Sequence, residues 1–403
     1  MIKIVVIGAG LAGSEAALQL ANQCSPDTTE IHLYDMKPHR RSPAHHSDQF
    51  AEIVCSNSFG SQGPTTASGL LKLELEALDC QLLQIAQSVA VPAGKALAVD
   101  REAFSAKVTE ALRNHPHIHL HEESLDDIPA DANYTIICTG PLTTPELAQS
   151  LARLVNREQL FFFDAAAPII TRDSVNFDIA FIQDRYGTEN ADSNEANDQS
   201  YINCPLNQEE YDRLVDFILN AERTELKEFG KQADSKAKTQ FFESCLPVEV
   251  IASRGRDTLR FGPMKPVGLV DPHTDKRPYA VVQLRQDNAE GTLYNLVGFQ
   301  TNIKWGPQKE MIQLIPGLEE ADIIRLGVMH RNTYLHAPEV LQPTLQLKQH
   351  PHILVGGQLT GTEGYTESIA TGLTAARNVL ALIQQQDAQA LPKDTMLGAL
   401  LHY

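Results

Sequence analysis

Short apolar runs mark the strands of this chain. IKIVVIG (2–8) is a β-branched stretch of the kind that fills a fully buried parallel strand. EIHLYD (30–35) and TIICTGPL (135–142) repeat the pattern, and HILVGG (352–357) repeats it again far down the chain. Between the first two runs, LAGSEAALQLANQ reads as a small-residue helix. The stretch from the last run to Ile383 reads as a glycine-rich turn followed by a long amphipathic helix. Residues 145 to about 290 change character, with aromatic-rich strands (FFFDAAAPII), a polar loop (GTENADSNEANDQS, 187–200) and a charged helical stretch near 207–240. The pattern predicts an α/β chain with a discontinuous Rossmann domain, 1–145 and 291–403, and an inserted α+β domain, 146–290.

The first turn carries chemistry. Gly8-Ala9-Gly10-Leu11-Ala12-Gly13 fits G-x-G-x-x-G between a strand and a helix. Gly8 allows the tight turn, Gly10 lets a pyrophosphate approach the backbone, and Gly13 lets helix and strand pack closely. The helix N-terminus offers free N–H groups and a positive dipole end to phosphate. Asp35 ends the second strand 22 residues after Gly13, where an acid holds ribose hydroxyls. The glycine spacing alone is a weak signal; strand, helix, second strand and acid together make it a dinucleotide site. Thr139-Gly140 and the turn bearing Gly357, Gln358 and Gly361 add two more strand-plus-glycine elements. One site assembled from such distant parts suits FAD better than NAD, because FAD is long and its isoalloxazine needs its own cradle.

Composition narrows the class. The 42% hydrophobic fraction is that of a globular protein, and 403 residues suffice for two or three domains. No apolar run reaches the roughly 18 residues of a membrane span, and MIKIVVIGAG enters the glycine turn without a signal-peptide cleavage site. The expectation is a cytoplasmic protein without a membrane partner. A net charge of −18 argues against indiscriminate nucleic-acid binding. Locally the balance reverses: Arg223 to Lys265 holds nine Lys/Arg against six Asp/Glu, a net of +3. Such a run is a solvated helix face as readily as an RNA contact.

Six cysteines (Cys24, Cys55, Cys80, Cys138, Cys204, Cys245) lie 31, 25, 58, 66 and 41 residues apart. Without a Cys-x-x-Cys pair, neither a zinc site nor a thioredoxin-like redox pair is expected, and no metal site is assigned. Cys24 and Cys138 end apolar elements and read as small buried hydrophobes, and Cys204 reads as structural.

Longer strings are more specific than any glycine motif. EIVCSNSF (52–59), FFESCLPVE (241–249), RGRDTLRFGPMKPVGL (254–269), VVQLRQDN (281–288), LYNLVGFQT (293–301), VMHRNTYL (328–335) and GQLTGTEGYTES (357–368) occur in this order. Together they closely resemble the folate- and FAD-dependent tRNA (uracil-5-)-methyltransferase family, TrmFO, over nearly the whole chain. The resemblance implies a glutathione-reductase-like FAD domain with an insertion. It also implies an enzyme that takes a one-carbon unit from 5,10-methylenetetrahydrofolate, reduces it with electrons from NADH or NADPH on FAD, and methylates C5 of uridine 54 in the tRNA T-arm. No protein partner is evident. Against the family pattern, Lys37 stands between Met36 and Pro38 where arginine is usual, Gly60 follows CSNSF, and Cys138 replaces the usual alanine before Thr-Gly. Members usually continue past LGALLHY.

The resemblance also assigns roles. Uracil C5 becomes nucleophilic only after something adds at C6, and a thiolate suits that task. Cys245 matches the family position for that thiolate, and Cys55 matches a second family cysteine that serves as base or in handling the flavin adduct. Without the resemblance, buried packing would be the better reading of either thiol. Trp305, the single tryptophan, is either a half-buried core aromatic or a stacking wall for pterin or base. Arg254, Arg256, Arg260 and Lys265 suit RNA phosphates or ion pairs equally. His330, Arg331 and Arg285 suit folate carboxylates or structural ion pairs. Glu249 reads as a surface acid rather than a base.

Rival readings are a disulfide reductase, which needs a close cysteine pair, and the longer flavoprotein that modifies wobble uridine. An S-adenosylmethionine enzyme is disfavoured by the distant glycine elements. Methylation of a ribosomal RNA uridine and a non-catalytic FAD- and RNA-binding role stay open.

Overall fold

The computed structural model describes residues 1–42, 44–156, 160–185, 201–224 and 246–402. Its first layer is a five-stranded parallel sheet made of Ile2–Ile7, Thr29–Tyr34, Ile118–His121, Tyr134–Ile137 and Ile353–Val355. Numbered along the chain, the strands lie in the order 3-2-1-4-5, the doubly wound arrangement. The first strand is central, with Val6 opposite Leu33 on one side and Ile136 on the other. It is buried on both faces, which is why its sequence is apolar without alternation.

Helices cover both faces. Leu11–Gln23, Arg101–Asn114 and Tyr365–Ile383 pack on one side, around Val6, Leu33 and Ile136. The two glycine-turn helices cross closely: a Cβ on Gly372 would meet the Ala12 carbonyl oxygen at 2.1 Å. Helix Pro145–Val155 covers the other face, placing Leu147 and Leu151 against Val5, Ile7 and Ile137. Thr144 caps it and Pro145 opens it, a strong start signal.

The second body is a six-stranded sheet, Phe181–Ile182, Tyr201–Leu206, Ala280–Gln286, Leu293–Leu296, Ile169–Thr171 and Ile323–Arg325, antiparallel throughout. A core around Tyr211, Leu214, Val248, Phe299 and Met311 backs it. The two bodies are joined by an antiparallel ribbon, Leu160–Ala165 with Met329–Tyr334. The division therefore differs at both ends from the 146–290 expected from sequence. The helix at 145–155 belongs to the parallel sheet, and strands as late as Ile323–Arg325 belong to the antiparallel one. Of the charged stretch near 207–240, Gln208–Asn220 is a helix held by an Asn207–Glu210 capping box, and residues 225–240 lie outside those described. The expected loop at 187–200 lies outside the described residues. No described helix is long and apolar enough to cross a membrane.

Candidate functional site

Two openings in this frame carry the candidate chemistry. The first lies at the carboxyl ends of the parallel strands. Gly8 adopts φ +97°, and a Cβ there would meet the Cys138 carbonyl oxygen at 2.5 Å. Gly13 packs so closely that an added Cβ would lie 1.8 Å from the Gly8 oxygen. Gly10, by contrast, has nothing within 4 Å of an added Cβ. The outer glycines close the turn and the middle one leaves its backbone open, which fits a pyrophosphate above the helix start.

Asp35 is tied into this turn. Its carboxylate accepts the Ala9 N–H at 2.7 Å and the Lys37 N–H at 3.0 Å. Burial raises its pKa, and these two N–H groups oppose the shift. The acid therefore shapes the turn and also lines the cleft beside it. That cleft, about 390 Å³ of open space, is lined by Gly8, Tyr34, Asp35, Glu123, Thr139 and Thr143, among others. Thr139 bonds Thr143 at 2.6 Å, and the adjacent Gly140 has φ +68° with open space beside it.

The last glycine element approaches from the other side. Gly357, at φ +73°, sits 3.0 Å (as an added Cβ) from the Ala12 methyl, and its N–H donates to Thr371 Oγ1 at 2.7 Å. Leu11 begins the helix above which this turn lies. Gln358 donates to Glu363, and Gly361 ends the short turn in the left-handed conformation. Gly8, Asp35 and Thr139 thus share one cleft, whereas Gln358 and Gly361 do not line it. The residues present fit a dinucleotide.

The second opening, about 950 Å³, lies between the two bodies. Cys55, Ser56, Leu246, Arg285, Asn295 and Gln300 are among its lining residues. Cys245 lies outside the described residues; Leu246, its neighbour in sequence, is on the wall. The Cys55 N–H donates to Tyr365 Oη at 2.9 Å. Arg285 reaches across from the antiparallel sheet and donates to Ser56 Oγ at 2.5 Å. Burial lowers the pKa of its guanidinium.

Arginines converge on the backbone of this segment. Arg325 donates to the Val54 oxygen at 3.2 Å, and Arg101 donates to the oxygens of Ile53 and Cys55 at 2.8 and 2.7 Å. Neither was singled out from sequence, because no local pattern marks an arginine whose partners are tens to hundreds of residues away. Glu249 is not a surface acid. It is 1% exposed and accepts the Asn302 N–H at 2.7 Å and the Thr301 hydroxyl at 2.9 Å, holding the loop after Gln300.

Arg256, Arg260, Lys265 and Trp305 are not among the residues that line this cavity. Arg256 is ion-paired with Asp212 at 2.9 Å and Asp216 at 2.6 Å, which raises its pKa. Arg260 lies over the Tyr279 ring, 3.9 Å from its centroid. Lys265 is half-buried on the loop after the short helix Thr258–Phe261 that carries Arg260. Trp305 opens helix Trp305–Gln313 and is 64% exposed, so it is not a core aromatic. The side chains of His330 and Arg331 lie outside those described. Cys138 and Cys204 are buried packing residues, with the Cys138 thiol pushed up to about 12 by burial. Among the described residues, no group of three or more His, Cys, Asp or Glu is arranged to hold a metal ion.

Strand order, glycine turn and acid define a doubly wound dinucleotide-binding protein with a second, antiparallel body. The solved GidA structures of Aquifex aeolicus share this fold: form I aligns with a TM-score of 0.72 at 16% identity, covering 99% of this chain and 69% of that one. Form II aligns at 0.69, with 16% identity, covering 99% and 66%. A model of the Glucose inhibited division protein A family matches residues 3–387. Among curated relatives, the methylenetetrahydrofolate–tRNA-(uracil-5-)-methyltransferase TrmFO of Desulforamulus reducens is 51% identical over 401 residues, covering 100% of this chain and 86% of its own. The TrmFO proteins of Bacillus cereus and Halalkalibacterium halodurans are each 52% identical, covering 99% of this chain and 87% of their own. The chain belongs to the GidA family and, within it, groups with the TrmFO methyltransferases.

Proposed function

We propose that this protein methylates C5 of uridine 54 in the tRNA T-arm, using methylenetetrahydrofolate as one-carbon donor, FAD as cofactor and NADH or NADPH as reductant, in the cytoplasm. The observation that carries the reading is the cavity between the two bodies, which Cys55 and Leu246, the residue that follows Cys245, both line. It is supported by identity of about half to relatives named for this reaction, over the whole chain.

The chain's own residues divide the work. Gly8, Ala9, Gly10, Leu11, Ala12 and Gly13 would hold the FAD pyrophosphate, and Asp35 the adenosine ribose. Thr139, Gly140, Gly357, Gln358 and Gly361 would complete the cradle. Bound FAD would supply the electrons that bring the folate one-carbon unit to the methyl level. Cys245 would add as thiolate to uracil C6, raising electron density at C5. After C5 is methylated, a base removes the C5 proton and the thiolate leaves, regenerating Cys245. Cys55 would act in that later phase, as base or beside the bound flavin. Arg285, on the wall of the cavity, would meet a folate carboxylate, Trp305 would offer an exposed ring for stacking, and Lys265 is the candidate for RNA phosphate, the Arg256 guanidinium being taken up by Asp212 and Asp216.

One incubation tests the reading. Flavin-bearing protein is mixed with unmodified tRNA, labelled methylenetetrahydrofolate and NAD(P)H. Label is expected in 5-methyluridine at position 54. Its absence, or replacement of the folate by S-adenosylmethionine, overturns the proposal.

A further inference from the structure

We propose that Arg101 is a positioning residue for Cys55, and that Asp287, arriving from the antiparallel sheet, locks it in place. Arg101 opens helix Arg101–Asn114 just after the capping Asp100. Its Nε lies 2.9 and 2.8 Å from the two carboxylate oxygens of Asp287. Its Nη1 donates to the Ile53 oxygen at 2.8 Å and its Nη2 to the Cys55 oxygen at 2.7 Å. The side chains of the pair are 11% and 4% exposed. One planar guanidinium thus grips a carboxylate with one edge and two carbonyls, two residues apart, with the others. An ammonium has no such fork.

Both ends of the pair are themselves held. Asp287 accepts from Asn295 Nδ2 at 3.1 Å, and its N–H donates to the Leu293 oxygen at 2.8 Å. Asn57, two residues after Cys55, donates to the Gln286 oxygen at 3.0 Å and the Val99 oxygen at 3.0 Å. Asp100 accepts the Ala289 N–H at 2.8 Å. The strand end at 286–289 and the helix start at 99–101 therefore enclose the Cys55 segment from both bodies. A buried ion pair of this kind is weak evidence for stability; the fixed geometry rests on the hydrogen bonds that one guanidinium makes to Asp287, Ile53 and Cys55 together. Here the geometry fixed is the main chain that aims the Cys55 side chain at the cavity.

The inference rests on the proposed role of Cys55, so its test uses a readout independent of methylation. In the full-length flavin-bearing protein, alkylation of Cys55 by iodoacetamide is followed by peptide mass spectrometry, with half-exposed Cys24 as internal control. Asp287→Asn and Arg101→Lys are each expected to speed Cys55 alkylation by about tenfold, because a lost charged hydrogen bond frees the segment. Cys24 alkylation and flavin content should stay at wild-type level. Methylation kcat should fall by about tenfold with KM little changed, the signature of misplacement rather than lost binding. Unchanged Cys55 alkylation in Arg101→Lys overturns the proposal, as does a parallel rise at Cys24, which would report general opening. If Cys55→Ala keeps full methylation, the role given to Cys55 fails, while the alkylation rates still decide whether Arg101 positions it.

Discussion

Asp35 Oδ2 lies 2.7 Å from the Ala9 nitrogen, so the acid that ends the second strand also braces the glycine turn that follows the first. Asp35→Ala should therefore weaken flavin binding twice over, through the proposed ribose contact and through a loosened turn. A loss of about 1.5–3 kcal/mol in flavin affinity is expected, the range for hydrogen bonds to a charged acceptor. Titration of the apoprotein with FAD measures it.

The glycines of the same turn should separate binding from folding. Gly13→Ala drives a methyl into the Gly8 carbonyl and should lower the melting temperature along with flavin content. Gly10→Val adds a side chain where nothing lies within 4 Å, so the chain should fold normally and lose its flavin. Flavin absorbance and thermal unfolding, measured together, check both. A Gly10→Val protein with full flavin absorbance would contradict the assignment of the turn.

The two cysteines should behave differently with a trapped substrate. Cys245→Ala should abolish methylation while keeping FAD, since Ala is nearly as small as the thiol. A 5-fluorouridine T-arm should capture the wild type covalently, because fluorine blocks the proton removal on which release depends. Cys245→Ala should form no adduct, and Cys55→Ala should still form one if it acts only later. Denaturing gel shift reads the outcome, and an adduct lost only in Cys55→Ala would exchange the roles.

Glu249 should impose a pH dependence on stability. Burial raises its pKa above the ordinary 4.5, so the native state binds more protons than the unfolded one over that interval. Its contribution is full below the unfolded value and is lost as pH rises through the raised native value. Urea midpoints of wild type and Glu249→Gln, followed across that window, should converge on the acid side and separate in favour of the variant above it. Glu249→Ala should cost about 1–3 kcal/mol on the acid side, because the buried Asn302 N–H loses its acceptor, and the cost should shrink as pH rises through the native value.

Arg256 and Lys265 should differ in their effect on RNA. The Arg256 guanidinium is occupied by Asp212 and Asp216, so Arg256→Ala should leave the salt slope of tRNA binding unchanged. Stability should change little, as for exposed ion pairs. Lys265→Ala should flatten the slope by about one phosphate's worth of released counterion. Filter binding at several salt concentrations distinguishes them.

Local pattern alone determined the parallel strands, the glycine turn, the acid after the second strand and the packing role of Cys138 and Cys204. Each depends on residues near one another in sequence, where apolar period, small residues and a short spacing leave few alternatives. The motif strings likewise identified the family before any fold was in hand. Tertiary structure decided what distance in sequence conceals. Strand Leu293–Leu296 joins the antiparallel sheet because Ala280–Gln286 is there to pair with it, and helix Pro145–Val155 joins the parallel one because Val5 and Ile137 need cover. Arg256 is an ion-pair residue because Asp212 and Asp216 sit one helical turn apart beside it. Glu249 is buried because the loop at 301–302 needs an acceptor, and Arg101 grips Asp287 across 186 residues of chain. A charged side chain has no period to read, so its partner is known only once the chain has folded.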